Sequence, residues 1–316
     1  MWLQLLAQSC LPPAAAIPIP ELMTEKENEH ELTDRKFYHA GQEAAFFEER
    51  PHDTPQTRHP SYKLAYRDTD FLLRDELRPV RFQLELLKPE MLLEEAGVGS
   101  TLVVYGSARI PSPQDADALI EAASDKNEFE QRVAKNLASR AKYYDIAYAL
   151  ARMVSEKAIV EDGKRQFVIT SGGGPSIMEA ANRGASDAGS ESIGLNIVLP
   201  HEQAPNAYVT PNLSLQFHYF ALRKMHFLLR ARAVAVFPGG YGTLDELLEL
   251  LTLVQTGKMK PIPILLFGKD FWSRIIDFEA MAEEGTISKK DLDLFHWCES
   301  AEDAWCHIAD FYELEC

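Results

Sequence analysis

The chain has 316 residues, of which 46% are hydrophobic, 10% aromatic and 25% charged, a composition that excludes a fibrous, collagen-like or wholly disordered protein. Its 32 basic and 48 acidic residues give a net charge of −16, which argues against binding to nucleic acid because a phosphate backbone is repelled at long range. One small anionic ligand remains compatible, since backbone N–H groups can build a local positive site on an acidic protein.

The elements follow in chain order. Residues 1–22 open with an apolar stretch that has no Lys or Arg before it and is interrupted by Gln4 and Gln8, unlike a secretory signal. We read it as a disordered extension from a start codon placed too early. Residues 23–60 are polar, contain Pro51, Pro55 and Pro60, and lack apolar periodicity, so 1–60 is expected to be a disordered arm. Over 61–98, Leu73, Leu77, Phe82, Leu86 and Leu87 recur at helical spacing, and Pro79 and Pro89 should divide this helical preface into short helices.

A main domain is expected over 99–285. Thr101–Tyr105 is a continuous apolar strand running into Gly106-Ser107, and a helical stretch carries Phe129, Val133, Leu137, Tyr144 and Tyr148. Further strands are expected at Phe167–Thr170, Ser192–Val198, Leu213–Phe217, Ala233–Phe237 and Ile262–Phe267, with helices through Met178–Asn182, Ala221–Arg230 and Leu244–Gln255. Strands without polar alternation, separated by helices, indicate an α/β fold: a Rossmann-like, doubly wound parallel sheet. Residues 270–316 are read as an acidic helical tail around Trp272, Trp297 and Trp305, of which 286–316 lies beyond the main domain.

The four cysteines, Cys10, Cys298, Cys306 and Cys316, are sparse and irregular, which fits a reducing, cytoplasmic setting rather than a disulfide scaffold. No His/Cys cluster has zinc-ligand sequence spacing, so no metal and no cofactor is expected. No apolar run reaches the roughly 20 residues needed to span a bilayer, so no membrane association is expected.

Ligands of such sheets gather at the carboxyl ends of the strands, where three glycine-containing turns lead towards helices. In Pro238-Gly-Gly-Tyr-Gly-Thr243 the glycines allow close backbone approach, and the following helix offers free N–H groups and the positive end of its dipole. A monophosphate fits there; so does a tight turn with no ligand. The Walker pattern is absent, and neither Gly106-Ser107 nor Gly172–Ile177 completes Gly-x-Gly-x-x-Gly, which counts against ATP and NAD sites. Glu246 has two readings, as the partner of Thr243 in a capping box or as a carboxylate beside a ribose held at the loop. Ser176 and Glu179 share the capping-box spacing, and Glu179 is read as a cap. Arg223-Lys224 is either a solvated basic pair or a phosphate clamp that partners Glu246.

Together, Ser171-Gly-Gly-Gly-Pro-Ser-Ile-Met-Glu-Ala-Ala-Asn182, Arg223-Lys224 and Pro238-Gly-Gly-Tyr-Gly-Thr-Leu-Asp-Glu246 resemble the LONELY GUY (LOG) family over about residues 65–285. The resemblance implies a cytokinin riboside 5′-monophosphate phosphoribohydrolase or AMP nucleosidase. Such an enzyme cleaves the N-glycosidic bond of a purine nucleoside 5′-monophosphate and assembles as a homodimer or larger homo-oligomer. It assigns catalysis to Arg223 and Glu246, and substrate contacts to Ser107, Gly173, Gly174, Lys224, Gly239, Gly240, Tyr241, Gly242 and Thr243. Shorter members carry Met-His where this chain has Phe220-Ala221, so AMP and an isoprenylated nucleotide are both credible substrates. The lysine decarboxylase label attached to the family has no support here, because no Ser-x-His-Lys motif supplies a pyridoxal phosphate lysine. The rival reading is a non-enzymatic nucleotide sensor of the same fold.

Overall fold

The computed structural model describes residues 39–48, 53–200 and 204–316. The chain forms two compact units, Met1–Leu72 and Leu73–Cys316. In the first, Ala40–Glu48 is a helix, followed by short helical turns at Pro55–Arg58, Pro60–Tyr62, Ala65–Arg67 and Thr69–Leu72. The expected extension over 1–22 lies outside the described residues. Within the arm expected to be disordered, the alanine-rich stretch from Ala40 is helical, as its intrinsic propensity favours.

The second unit is built on a seven-stranded sheet. Its strands are β1 (Thr101–Tyr105), β2 (Val168–Ser171), β3 (Ile193–Ile197), β4 (Ser214–Phe217), β5 (Ala231–Val236), β6 (Ile264–Phe267) and β7 (His296–Cys298). Their order is β4-β3-β2-β1-β5-β6-β7, and every pairing is parallel. The helices are α1 (Arg78–Glu95), α2 (Ala116–Glu121), α3 (Glu128–Ala138), α4 (Lys142–Glu156), α5 (Ile177–Asp187), α6 (Phe220–Leu229), α7 (Tyr241–Gln255), α8 (Lys269–Ile275), α9 (Phe278–Glu283) and α10 (Ala301–Tyr312). This is the doubly wound Rossmann-like fold. After β1 the chain builds outward through β2, β3 and β4, then returns through α6 to place β5 on the other flank of β1. The order therefore reverses between β1 and β5, which opens a crevice at their carboxyl ends.

Burial of both faces explains why the strands carry no polar alternation. Along β1, Leu102 and Val104 enter a core beneath α4, α5 and α10, while Val103 and Tyr105 enter a second core on the opposite face. In β5, Ala233 and Ala235 join the first core and Val234 and Val236 the second. Each fully buried Val or Leu contributes on the order of 1.5–3 kcal/mol to this arrangement. Gly184 lets α5 lie against α4, since a Cβ there would collide with the Tyr148 carbonyl.

The structure differs from the sequence reading at several elements. The helical stretch after β1 is three helices, and Phe129 and Val133 on α3 are exposed rather than packed. Pro79 stands in the first turn of α1, where its missing N–H is harmless, and Pro89 lies inside the helix without ending it. The segment read as a helical tail also contains β7, so Trp297 belongs to the edge of the main sheet. Cys306 and Cys316 form a disulfide, a pairing that the sparse cysteine pattern did not suggest, and Cys298 is a buried free thiol. Among the described residues, no helix is long and apolar enough to cross a membrane.

Candidate active site

The crevice is framed by the turns after β1, β2 and β5, with α6 crossing beside them. Arg223 sits one turn into α6, and its Nε donates to the Leu195 carbonyl of β3 at 2.7 Å. Its Nη1 lies 3.6 Å from Oε1 of Glu246, and both side chains are nearly buried, 12% and 14% exposed. The guanidinium also lies over the Phe227 ring at 5.0 Å, and Phe227 meets Tyr105 edge-on with centroids 5.1 Å apart. Carbonyl, ring and carboxylate thus fix the direction of the arginine fork, and the arrangement removes the solvated-pair reading of Arg223.

Burial dominates the electrostatics. It pushes the Glu246 carboxyl up to about 7, against the opposing pull of Arg223, with smaller contributions from Asp245, Lys224 and Glu249. The same burial draws Arg223 below the usual guanidinium range. It also holds the Tyr105 phenol well above its ordinary value. A carboxyl that titrates near neutrality beside a desolvated cation, in a crevice, has the character of a working acid–base group.

The structure removes both capping-box readings. Helix α7 begins at Tyr241 with Gly240 as its cap, so Thr243 lies within the first turn and cannot cap for Glu246. Ser176 does precede α5, but its hydroxyl donates to the Ile110 carbonyl. Glu179 instead accepts from the Tyr144 hydroxyl at 3.1 Å. Ser176 also holds φ at +67°, an uncommon conformation for a residue with a side chain, directly beside the crevice.

The glycine-rich loop after β5 merges into the helix. Gly240, Tyr241 and Gly242 are exposed while Thr243 is buried, and Leu244 N–H takes the Gly240 carbonyl. The N–H groups of Tyr241, Gly242 and Thr243 therefore lack intrahelical acceptors and point out of the helix start, as an anion requires. Gly239 cannot carry a side chain, because a Cβ would collide with that of Thr243. Ser107 N–H donates to the Pro238 carbonyl at 3.1 Å, which ties the β1 turn to this loop, and Ser107 Oγ accepts from Arg109 N–H. Tyr241 projects into solvent, 93% exposed. Lys224 is held by Asp245 at 3.1 Å and Glu249 at 3.3 Å, on either side of Glu246 in the sequence.

The turn after β2 approaches Arg223 from its other side. A Cβ on Gly172 would lie 2.7 Å from Arg223 Nη2. Gly173 adopts φ of +71° against the Asn196 side chain. An amide network holds this turn. Ser171 Oγ donates to Asn182 Oδ1 at 2.7 Å and accepts from Gly173 N–H, while Asn206 donates to the Gly173 and Gly174 carbonyls at 2.8 and 2.9 Å. Asn196, Asn206 and Tyr105 were not singled out from the sequence. Lone amides and a strand-end tyrosine carry no spacing signal; only the fold makes them neighbours.

Residues 178–308 match a family model described as "Possible lysine decarboxylase", a stretch that contains Arg223 and Glu246. The chain is 27% identical over 149 residues to the cytokinin riboside 5′-monophosphate phosphoribohydrolase LOG2 of Arabidopsis thaliana, covering 46% of this chain and 65% of that protein. It is 29% identical over 153 residues to the enzyme LOG of Oryza sativa subsp. japonica, covering 48% and 59%. The matches thus span less than two thirds of these relatives' length. A molybdenum cofactor carrier protein of Chlamydomonas reinhardtii is 18% identical, with a TM-score of 0.37 over 54% of this chain and 89% of that one. Family model and curated relatives both agree with the LOG resemblance carried by the motifs.

Proposed function

We propose, with likeness to the LOG phosphoribohydrolases as the premise, that this protein hydrolyses the N-glycosidic bond of adenine-type ribonucleoside 5′-monophosphates, releasing the free base and ribose 5-phosphate. The observation that carries the reading is the buried Arg223–Glu246 pair beside an unblocked helix start. A nucleotide sensor needs the helix start but not a desolvated carboxylate.

In this reading the 5′-phosphate binds the N–H groups of Tyr241, Gly242 and Thr243 and fixes the ribose over Glu246. As the C1′–N9 bond breaks, positive charge grows on the sugar, and ionised Glu246 stabilises it and orients a water. The water oxygen bonds to C1′ and its proton passes to Glu246, while the departing purine takes one proton from solvent and Glu246 returns its proton to solvent, which restores the carboxylate. Arg223 keeps Glu246 in place and compensates its charge. No metal or cofactor enters these steps. The helix beside the crevice begins with Phe220 and Ala221, and both AMP and its isoprenylated counterpart are candidate substrates.

Incubating the purified protein with AMP or isopentenyl-AMP and separating the products by chromatography tests the reading. The expected result is free base and ribose 5-phosphate in equal amounts. Adenosine should be processed at least about 100-fold less efficiently, because phosphate binding supplies remote binding energy used at C1′. Nucleotide binding with no base released from either substrate would identify a sensor instead.

A further inference from the structure

We propose that His296, Cys298 and Asp303 form a binding site for one divalent transition ion of the zinc class, clamping the edge strand β7 onto α10. The strand sets His296 and Cys298 two residues apart, on one face, and the helix sets Asp303 and His307 four apart, also on one face. The two pairs meet. Nε2 of His296 is 3.7 Å from Oδ1 of Asp303, and the rings of His296 and His307 stack with centroids 4.2 Å apart and planes 8° from parallel. One donor atom from each of His296, Cys298 and Asp303 falls within 4.8 Å of the others.

Zinc bonds of about 2.0–2.3 Å separate tetrahedral ligand atoms by roughly 3.3–3.8 Å. The His296–Asp303 distance already lies in that range, and a small side-chain movement closes the set on an ion. Nitrogen, sulfur and oxygen donors together suit zinc or cobalt and not calcium or magnesium, which take oxygen shells. Cys298 is buried while Asp303 is exposed and His296 half-buried, so the sulfur is shielded from water and an ion can enter from the carboxylate side. A cleft of about 580 Å³, lined in part by Asp293, His296, Trp297 and His307, adjoins the group and leaves space for the fourth ligand, either His307 after a ring turn or water. The site stands at the sheet edge, two strands from β5, and takes no part in the proposed nucleotide chemistry. A His-x-Cys pair on a strand facing an Asp-x-x-x-His pair on a helix matches no Cys-x-x-Cys pattern, which is why spacing alone passed over it.

The test uses the full-length, untagged protein, stripped of metal with a chelator and titrated with Co²⁺ alone. One equivalent should bind, with a thiolate-to-cobalt charge-transfer band in the near ultraviolet and visible bands of a four-coordinate ion, and one equivalent of Zn²⁺ should displace it. Cys298→Ser should lose the near-ultraviolet band. Asp303→Asn and His296→Gln, which change less buried positions and so test the site even if the Cys298 variant does not fold, should weaken Co²⁺ binding about tenfold or more. No saturable binding at one equivalent in the wild type, or unchanged affinity and spectrum in both Asp303→Asn and His296→Gln, would overturn the proposal.

Discussion

At the scale of single residues, the site turns on two side chains whose types were legible in the sequence and whose burial was not. The motifs marked Arg223 and Glu246, but only the fold shows them 3.6 Å apart and largely removed from water. Glu246→Gln keeps the shape while removing the charge. We expect this variant to fold and bind AMP, and to lose about 100-fold or more in turnover. Burial raises the Glu246 pKa to about 7, so the ionised form is scarce in acid and kcat/KM should rise with pH through a midpoint near 7. Because the folded value stands above the unfolded one, the neutral carboxyl suits the fold. Wild-type stability should therefore fall relative to Glu246→Gln as pH rises from about 4.5 through 7. Parallel pH–rate and pH–denaturation series check both statements; a rate profile flat across pH 7 would separate Glu246 from the chemistry. Gly172→Ala makes a second residue-scale test. Its methyl would lie 2.7 Å from Arg223 Nη2 and 2.9 Å from Met178 Sδ, so the guanidinium must move. Activity should drop by about tenfold or more while the thermal midpoint changes little.

At the scale of elements, α1 proves to be a clamp on the arginine-bearing helix. The proline expected to divide the preface has a different effect. Pro89 has no N–H, so the Glu85 carbonyl one turn earlier is left without its helical donor, and the buried His226 of α6 binds it at 3.1 Å. The Glu85 carboxylate accepts the N–H groups of His218 and Tyr219, at 2.8 and 3.1 Å, just where α6 begins. Further along, Arg230 bonds Glu90 at 3.0 Å. Helical periodicity revealed α1 but could not reveal this role, because a freed carbonyl has no sequence signature until its partner is known. Glu85→Ala removes two charge-assisted bonds at the start of α6. It should cost about 1.5–3 kcal/mol in urea denaturation and reduce kcat more than it raises KM, since Arg223 rides on the loosened helix. Wild-type turnover with reduced stability would restrict α1 to a purely structural part. Six of the seven strands were read to within two residues, because apolar runs leave little choice, whereas β7 went unread inside the tail and the glycine loop and α7, read as separate, overlap at Tyr241–Thr243.

At the scale of the molecule, the net charge of −16 and the local positive helix start act at different ranges. The overall charge disfavours polyanions, while the N–H groups of α7 reach only a few ångströms, the range at which the proposed phosphate would sit. On the second unit, α1 leaves Leu84, Leu87 and Met91 more than half exposed, and α6 leaves Phe220, Met225 and Leu229 between 43% and 55% exposed. Faces of this kind seek cover. Self-association is the expectation: light scattering at micromolar concentration should return at least twice the 35.6 kDa of one chain, and a mass of one chain would refute it.

The pairing of β1 with β5 joins residues 101–105 to residues 231–236 across the whole middle of the chain. During synthesis β1 must wait with one flank uncovered until that distant stretch has emerged, and long-range parallel pairings of this kind form slowly. The stretch 178–308 holds both Arg223 and Glu246 but neither β1 nor β2, so as an isolated fragment it would leave β3 and β5 with no strands to bridge them. The proposed nucleotide site can therefore assemble only late in the synthesis of each chain, after the sheet has closed across β1 and β5.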